Sequence, residues 1–301
     1  MSAIDMPVAG PAVVPARRTG FWRNLWTVLR RKPSRMAGAA IVALFVLSGV
    51  VGPWLYPDNL PRDNDLILAG PSLAHPLGTD FEGTDVLALL ITGSRYVLVA
   101  AVVAALIMVV IGTGFGLYSG YRRGFSDSVL MRITDFVLTI PGFPLLLVLS
   151  TVWKFSSALQ MGLVLGITGW GGLARSVRSA TLSLRERGFV EAARGLGMPT
   201  RRIVTAELLP NIAPYVAMNL LIGVTTFIYS QVGLFYLGVL PFKSNNWGVM
   251  IQLAVTNGVT QTGDGLGYLM APLVAILLLT LGVVLLVDAL DEVFNPRLRE
   301  E

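Results

Sequence analysis

The chain has 301 residues, 54% of them hydrophobic and only 14% charged, with 23 Lys and Arg against 18 Asp and Glu. Soluble domains carry about 25% charged residues, and a mean hydropathy of +0.68 points to lipid as the main solvent. The absence of cysteine excludes disulfide frameworks and thiolate metal sites, and the single histidine, His75, excludes a multi-histidine metal cluster.

Residues 1–16 are rich in Pro and Ala and lack an apolar period. They are expected to be a disordered tail. Residues 17–35 carry Arg17, Arg18, Arg23, Arg30, Arg31, Lys32 and Arg35, with Phe21, Trp22, Leu25, Trp26 and Leu29 on one helical face. That pattern predicts a basic helix on the membrane surface; the alternative is a solvated basic tail. Residues 36–56 contain no charge and suit a first span, since about 20 residues cross the hydrocarbon. A cleaved signal peptide would have a shorter apolar stretch and a shorter basic region before it.

Residues 57–95, with four prolines, are read as an extramembrane loop. Further spans are predicted at about 96–121, 133–152, 158–174, 212–237 and 266–290. A polar segment at 175–211 separates the fourth from the fifth. With the N-terminus in the cytoplasm, nineteen of the 23 Lys and Arg fall in inside segments. Only Arg62, Arg95, Lys154 and Lys243 fall outside. The positive-inside rule therefore predicts six helices in residues 36–301, with both termini cytoplasmic. The positive charge is topological, and no soluble basic domain remains for nucleic acid.

The segment at 175–211 is long, basic and ordered in pattern. Residues 184–196 favour helix, and Gly197 can supply a left-handed stop. Pro199 suits the first turn of a second short helix carrying Arg201, Arg202, Ile203 and Leu208. Pro210 is expected to break the pattern before the next span. Ala192 and Ala193 are small enough to let another protein surface come close, and Glu191 and Arg194 would fix its register. The bland alternative is an ordinary cytoplasmic loop.

The run Glu191-Ala192-Ala193-Arg194-Gly195-Leu196-Gly197 followed by Leu209-Pro210 resembles the "EAA…G…LP" loop of ABC-importer permeases. Other motifs extend the likeness: His75-Pro76-Leu77-Gly78-Thr79-Asp80, Gly93-Ser94-Arg95, Met131-Arg132-Ile133-Thr134-Asp135, Trp247-Gly248 and Asn295-Pro296-Arg297-Leu298. From about residue 20 the chain is similar to the second permease of the pair in the dipeptide/oligopeptide branch. The resemblance implies an all-α membrane protein with the type I importer fold of six transmembrane helices and cytoplasmic EAA coupling helices. Glu191, Ala192, Ala193, Arg194, Gly197, Leu209 and Pro210 would couple it to the ATPases. It implies half of a translocation pathway for di- and oligopeptides in the cytoplasmic membrane, with oligosaccharides or another small solute as the alternative cargo. Its partners would be a second homologous permease, two ABC ATPases that use ATP and Mg, an extracytoplasmic solute-binding protein and membrane lipids. The chain departs from the family pattern at Gln231, at Val239-Leu240-Pro241-Phe242 and in the loop 261–267.

Asp135, Asn219 and Gln231 are the candidates for the translocation pathway. Asp135 either faces a water-filled route or sits at the interface paired with Arg132. Asp288 is placed at the interface. His75, beside Pro76 in an outside loop, is read as structural. Gly112, Gly116 and Gly120 recur every four residues and suit close helix packing in lipid. None of Lys32, Lys154 and Lys243 follows a glycine, so a Walker A lysine is impossible and ATP hydrolysis must come from partners. No cofactor or metal is expected on this chain. A passive channel or scaffold and a membrane enzyme are the remaining rivals.

Overall fold

The computed structural model describes residues 21–56, 60–153, 155, 157–238 and 245–294. The tail at 1–16, the segment Val239-Leu240-Pro241-Phe242, the terminal Asn295-Pro296-Arg297-Leu298 and the side chains of Phe21 and Trp22 lie outside the described residues. Among those residues the chain is helical, with one isolated bridge between Thr79 and Asp85 and no strand.

The basic N-terminal segment forms α1 (Phe21–Arg31) and leads at once into α2 (Pro33–Leu55). The buried stripe of α1 is Val28 and Leu29, packed against Ala289 and Val293 of the last helix. Trp26, expected on the apolar face, is 53% exposed and lies under Arg30, whose guanidinium carbon is 4.4 Å from the ring centroid. Arg31 and Arg35 fasten the α1–α2 corner to Glu292, and Arg35 also reaches Asp288 at 3.1 Å. A nearly buried arginine is tolerable only when its charge is met in this way.

The longest element is α3 (Val86–Arg122). At 1.5 Å per residue its 37 residues span about 55 Å, beyond a hydrocarbon core of about 30 Å. It begins well inside the segment read as loop. Asp85 accepts a hydrogen bond from the Ala88 N–H and starts the helix there. Next come α4 (Gly124–Thr139) and α5 (Gly142–Val152), bent by 77° where a single span was predicted. Pro141, which has no N–H to continue the ladder, sits at the bend. The helix α6 (Ala158–Gly169) is apolar but has only 12 residues, and Trp170 alone separates it from α7 (Gly171–Arg185).

Small residues build the centre. A Cβ on Gly116 would lie 2.6 Å from the Val177 Cβ, and one on Gly120 would lie 2.7 Å from the Thr181 Cβ. The glycine stripe of α3 is thus the groove that receives α7. On α6, Gly162 and Gly166 do the same against the Ala100 and Ala104 carbonyls of α3. With no hydrophobic effect between helices in lipid, such close backbone approach is what makes dispersion contacts sufficient.

After α8 (Gly188–Gly195) and the short α9 (Thr200–Arg202), the chain runs through a π segment, Ile203–Leu208, straight into α10 (Leu209–Tyr236). Pro210 therefore does not break the pattern as expected. The Leu209 N–H bonds five residues back to Val204, and this wider turn absorbs the proline. The loop predicted after the fifth span contains α11 (Trp247–Thr256) and α12 (Val259–Thr262). Fully buried Trp247 donates its Nε1–H to the Leu90 carbonyl at 3.0 Å, which pins α11 to α3. The last helix is α13 (Leu266–Phe294). Among the described residues four helices are long and apolar enough to cross a membrane, or five if α4 and α5 form one bent span.

Candidate functional site

Two features stand out: a surface at the arginine-rich end of the bundle, and a cavity among α5, α6, α7 and α10. At the arginine-rich end, α7 carries its arginines past the bundle core. Arg178 clasps Asp127 of α4 with two hydrogen bonds, Nε to Oδ1 and Nη2 to Oδ2, each 2.6 Å. The hydrogen-bonded Asp127 carboxylate raises that guanidinium above its already high ordinary pKa. Arg175 donates to Asp135 at 2.6 Å. Asp135 thus pairs with α7, not with Arg132 one turn away on its own helix, because α7 packs beside α4 and brings Arg175 within reach. Arg185 donates to the Tyr121 carbonyl at 2.8 Å, and Arg194 lies 5.3 Å over the Tyr121 ring.

This frame holds α8. The helix does not run unbroken over 184–196 as predicted. Arg187 is extended (φ −81°, ψ 145°), and α8 restarts at Gly188. That break turns Val190 and Ala193 into the protein, 0% and 4% exposed. Glu191, Ala192 and Arg194 face outward. Ala193 is therefore part of the support, and Ala192 is the small residue left on the outer face. Gly197 ends the helix at φ +70°. Its N–H bonds to the Arg194 carbonyl at 2.9 Å, and the Met198 N–H bonds to the Ala193 carbonyl at 3.1 Å. These are the two bonds of a Schellman stop. Leu209 is half-buried and Pro210 exposed at the start of α10.

The cavity has a volume of about 390 Å³. Its polar lining comes from Asn219, Thr226 and Ser230 of α10 and Thr168 of α6, beside Phe143 and Phe227. Of the three pathway candidates only Asn219 lies here. Gln231 is 1% exposed and donates Nε2–H to the Val97 carbonyl at 2.8 Å, tying α10 to α3. Asp135 is on the arginine-rich surface. The structure does not bring the three together. Thr168, Thr226 and Ser230 were not singled out in the sequence, although Asn219, Thr226 and Ser230 fall at i, i+7 and i+11, one face of a helix.

At the other end, the His75 Nδ1 lies 2.8 Å from the Asp85 carboxylate that caps α3. Asp80 accepts from the Glu82 and Thr84 N–H groups, so the loop is cross-braced onto the start of α3. Asp288 is 61% exposed and paired with Arg35. Among the described residues no group of three or more His, Asp or Glu side chains could hold a metal ion.

Residues 112–300 match the family described as "Binding-protein-dependent transport system inner membrane component". Residues 20–74 match the "N-terminal TM domain of oligopeptide transport permease C". The chain is 34% identical to the oligopeptide transport system permease protein OppC of Mycobacterium tuberculosis, over 74% of this chain and 76% of that one. It is 31% identical to the dipeptide transport system permease protein DppC of Bacillus subtilis, over 93% of this chain and 87% of that one. It is 30% identical to the glutathione transport system permease protein GsiD of Escherichia coli, over 97% of this chain and 95% of that one.

Proposed function

We propose that this chain, which belongs to the inner-membrane components of binding-protein-dependent transport systems and is thus a permease subunit of an ABC importer, carries di- or oligopeptides. In this reading it forms half of the translocation pathway, and a second homologous permease forms the other half. Two ABC ATPases below it hydrolyse ATP with Mg as their cofactor, and an extracytoplasmic binding protein delivers the cargo. Peptide cargo is supported by the names of the relatives, among them an oligopeptide and a dipeptide permease.

The chain would cross the membrane six times, with the bent α4–α5 pair as one span and α6 with the start of α7 as another. Both termini and α8 would then be cytoplasmic. This orientation rests on the distribution of Lys and Arg.

The observation that carries the coupling role is α8 itself. It is a short helix fastened on its inner face by Val190 and Ala193 and stopped at Gly197, with Glu191 and Ala192 exposed on its outer face and Arg194 exposed but held over the Tyr121 ring. A rigid, exposed element at the end of the bundle fits a groove of an ATPase subunit. Closure of the ATPases would push α8, and the continuous path from α9 through the π segment into α10 would pass the displacement to the helix that lines the cavity. The test is crosslinking from Ala192→Cys with a thiol-to-amine bifunctional reagent in the assembled importer, with this thiol the sole one on the chain because its own sequence has no cysteine. The expected product joins this chain to an ATPase subunit, with a yield that changes on addition of ATP. Crosslinks only to the other permease or to lipid would contradict the assignment.

A further inference from the structure

The polar groups of the cavity wall are bonded within their own helices. Thr168 donates its hydroxyl to the Val164 carbonyl at 3.0 Å, Thr226 to Ile222 at 3.0 Å, and Ser230 to Thr226 at 3.0 Å. Asn219 donates an amide proton to the Tyr215 carbonyl at 2.9 Å. Each group spends a proton on its own helix, four residues back, which is how hydroxyls are satisfied in an apolar helix. The three hydroxyl oxygens keep lone pairs, and the Asn219 Oδ1 is an acceptor by nature. No charged side chain lines the cavity.

A wall of this kind receives donors. It offers no cation to hold a carboxylate or phosphate, its three hydroxyl protons are already engaged, and the second Asn219 amide proton is the one donor left against four acceptor oxygens. Apolar groups around it, Phe143, Leu146 and Phe227, lower the local dielectric and strengthen each bond made there. Resting on the peptide-importer reading above, we infer that Thr168, Asn219, Thr226 and Ser230 form a specificity wall that accepts backbone N–H groups of the passing cargo. The wall would read what all peptides share and no side chain in particular, so sequence-tolerant passage follows from its chemistry. It would discriminate against cargo whose N–H groups are blocked.

The test compares a short peptide with its backbone N-methylated counterpart, using the complete importer in proteoliposomes with saturating loaded binding protein. Uptake is measured for the wild type and for Thr168→Val, Thr226→Val and Ser230→Ala, singly and combined. Thr226→Ser serves as the variant that keeps the acceptor. Preferences of the binding protein cancel when the ratio of the two cargoes is compared between permeases. The expected result is a wild-type preference for the unblocked peptide that narrows about threefold to tenfold in the combined variant, with Thr226→Ser retaining the preference. Equal losses for both cargoes would place the cavity on the route but overturn donor recognition. Unchanged uptake of both would remove the cavity from the route and overturn the inference, leaving importer function intact. Failure of the wild-type importer to move any peptide on ATP would overturn the peptide reading beneath it. Should the combined variant fail to assemble, the single variants and cargo protection of a thiol-labelled Ser230→Cys decide: a fully labelled cysteine in the presence of transported peptide would contradict the wall.

Discussion

Met198 hands its backbone N–H to the carbonyl of Ala193 at 3.1 Å, across a glycine at φ +70°. That bond turns the chain away from α8 and fixes the angle at which Glu191 and Arg194 are presented. A Cβ on Gly197 would meet nothing within 4 Å, so the position needs glycine for its backbone state alone. Gly197→Val should therefore strain the turn by roughly 1–2 kcal/mol without a steric clash. The expected result is an importer that assembles and binds its loaded partner but loses ATPase stimulation. Gly124, at φ +68° and equally open, is the matched control; Gly124→Val carries similar strain and should retain stimulation. Equal effects of the two would show that strain anywhere, not the α8 angle, is responsible.

Gly116 makes the opposite case, where space decides. Its Cβ would sit 2.6 Å from the Val177 Cβ and 2.7 Å from the Ala174 carbonyl oxygen. Gly116→Val should push α3 from α7 and cost about 1–3 kcal/mol. Gly114→Ala, facing open space two residues away, should be neutral or slightly stabilising. Thermal unfolding of the detergent-solubilised complex measures both, and equal melting temperatures for the two variants would refute the packing argument.

The two ion pairs between α7 and α4 separate by exposure. The Asp127 side chain is 13% exposed and bound by Arg178 through two bonds, whereas Asp135 and Arg175 are 56% and 53% exposed. Asp127→Asn should cost roughly 1–3 kcal/mol, and Asp135→Asn less than about 1 kcal/mol. Chemical denaturation of the isolated complex ranks them, and a larger loss at Asp135 would overturn the ordering.

What was legible in the sequence was what acts locally. Gly197 as a helix stop and the Gly112, Gly116, Gly120 stripe as a packing surface follow from the lack of a Cβ, and the structure puts both to those uses. The bend at Pro141 is equally local, yet the continuous apolar run around it reads as one span. The start of α3 was misplaced because Arg95 drew the boundary, while the cap that sets it is Asp85. The helix α11 falls inside a predicted loop because its ten residues, Gln252 and Thr256 among them, are too few for a span. The Arg175 partner of Asp135 and the burial of Gln231 on Val97 depend on which helices meet, and nothing in the spacing of one helix encodes that.

Orientation has its own test. Reporter cysteines at Ser2 and Glu301 in the cysteine-free chain should react with impermeant thiol reagents only after the cells are opened. Labelling of either in intact cells would reverse or break the proposed topology.

The most direct measurement is peptide uptake by the complete importer in proteoliposomes, driven by ATP on the α8 side, for the wild type, Glu191→Lys and Gly197→Val. The account predicts ATP-dependent accumulation by the wild type. It predicts loss of uptake in both variants, with assembly intact and loaded binding protein still bound. Wild-type uptake and stimulated ATPase activity in both variants would contradict the claim that this chain takes its power stroke through α8.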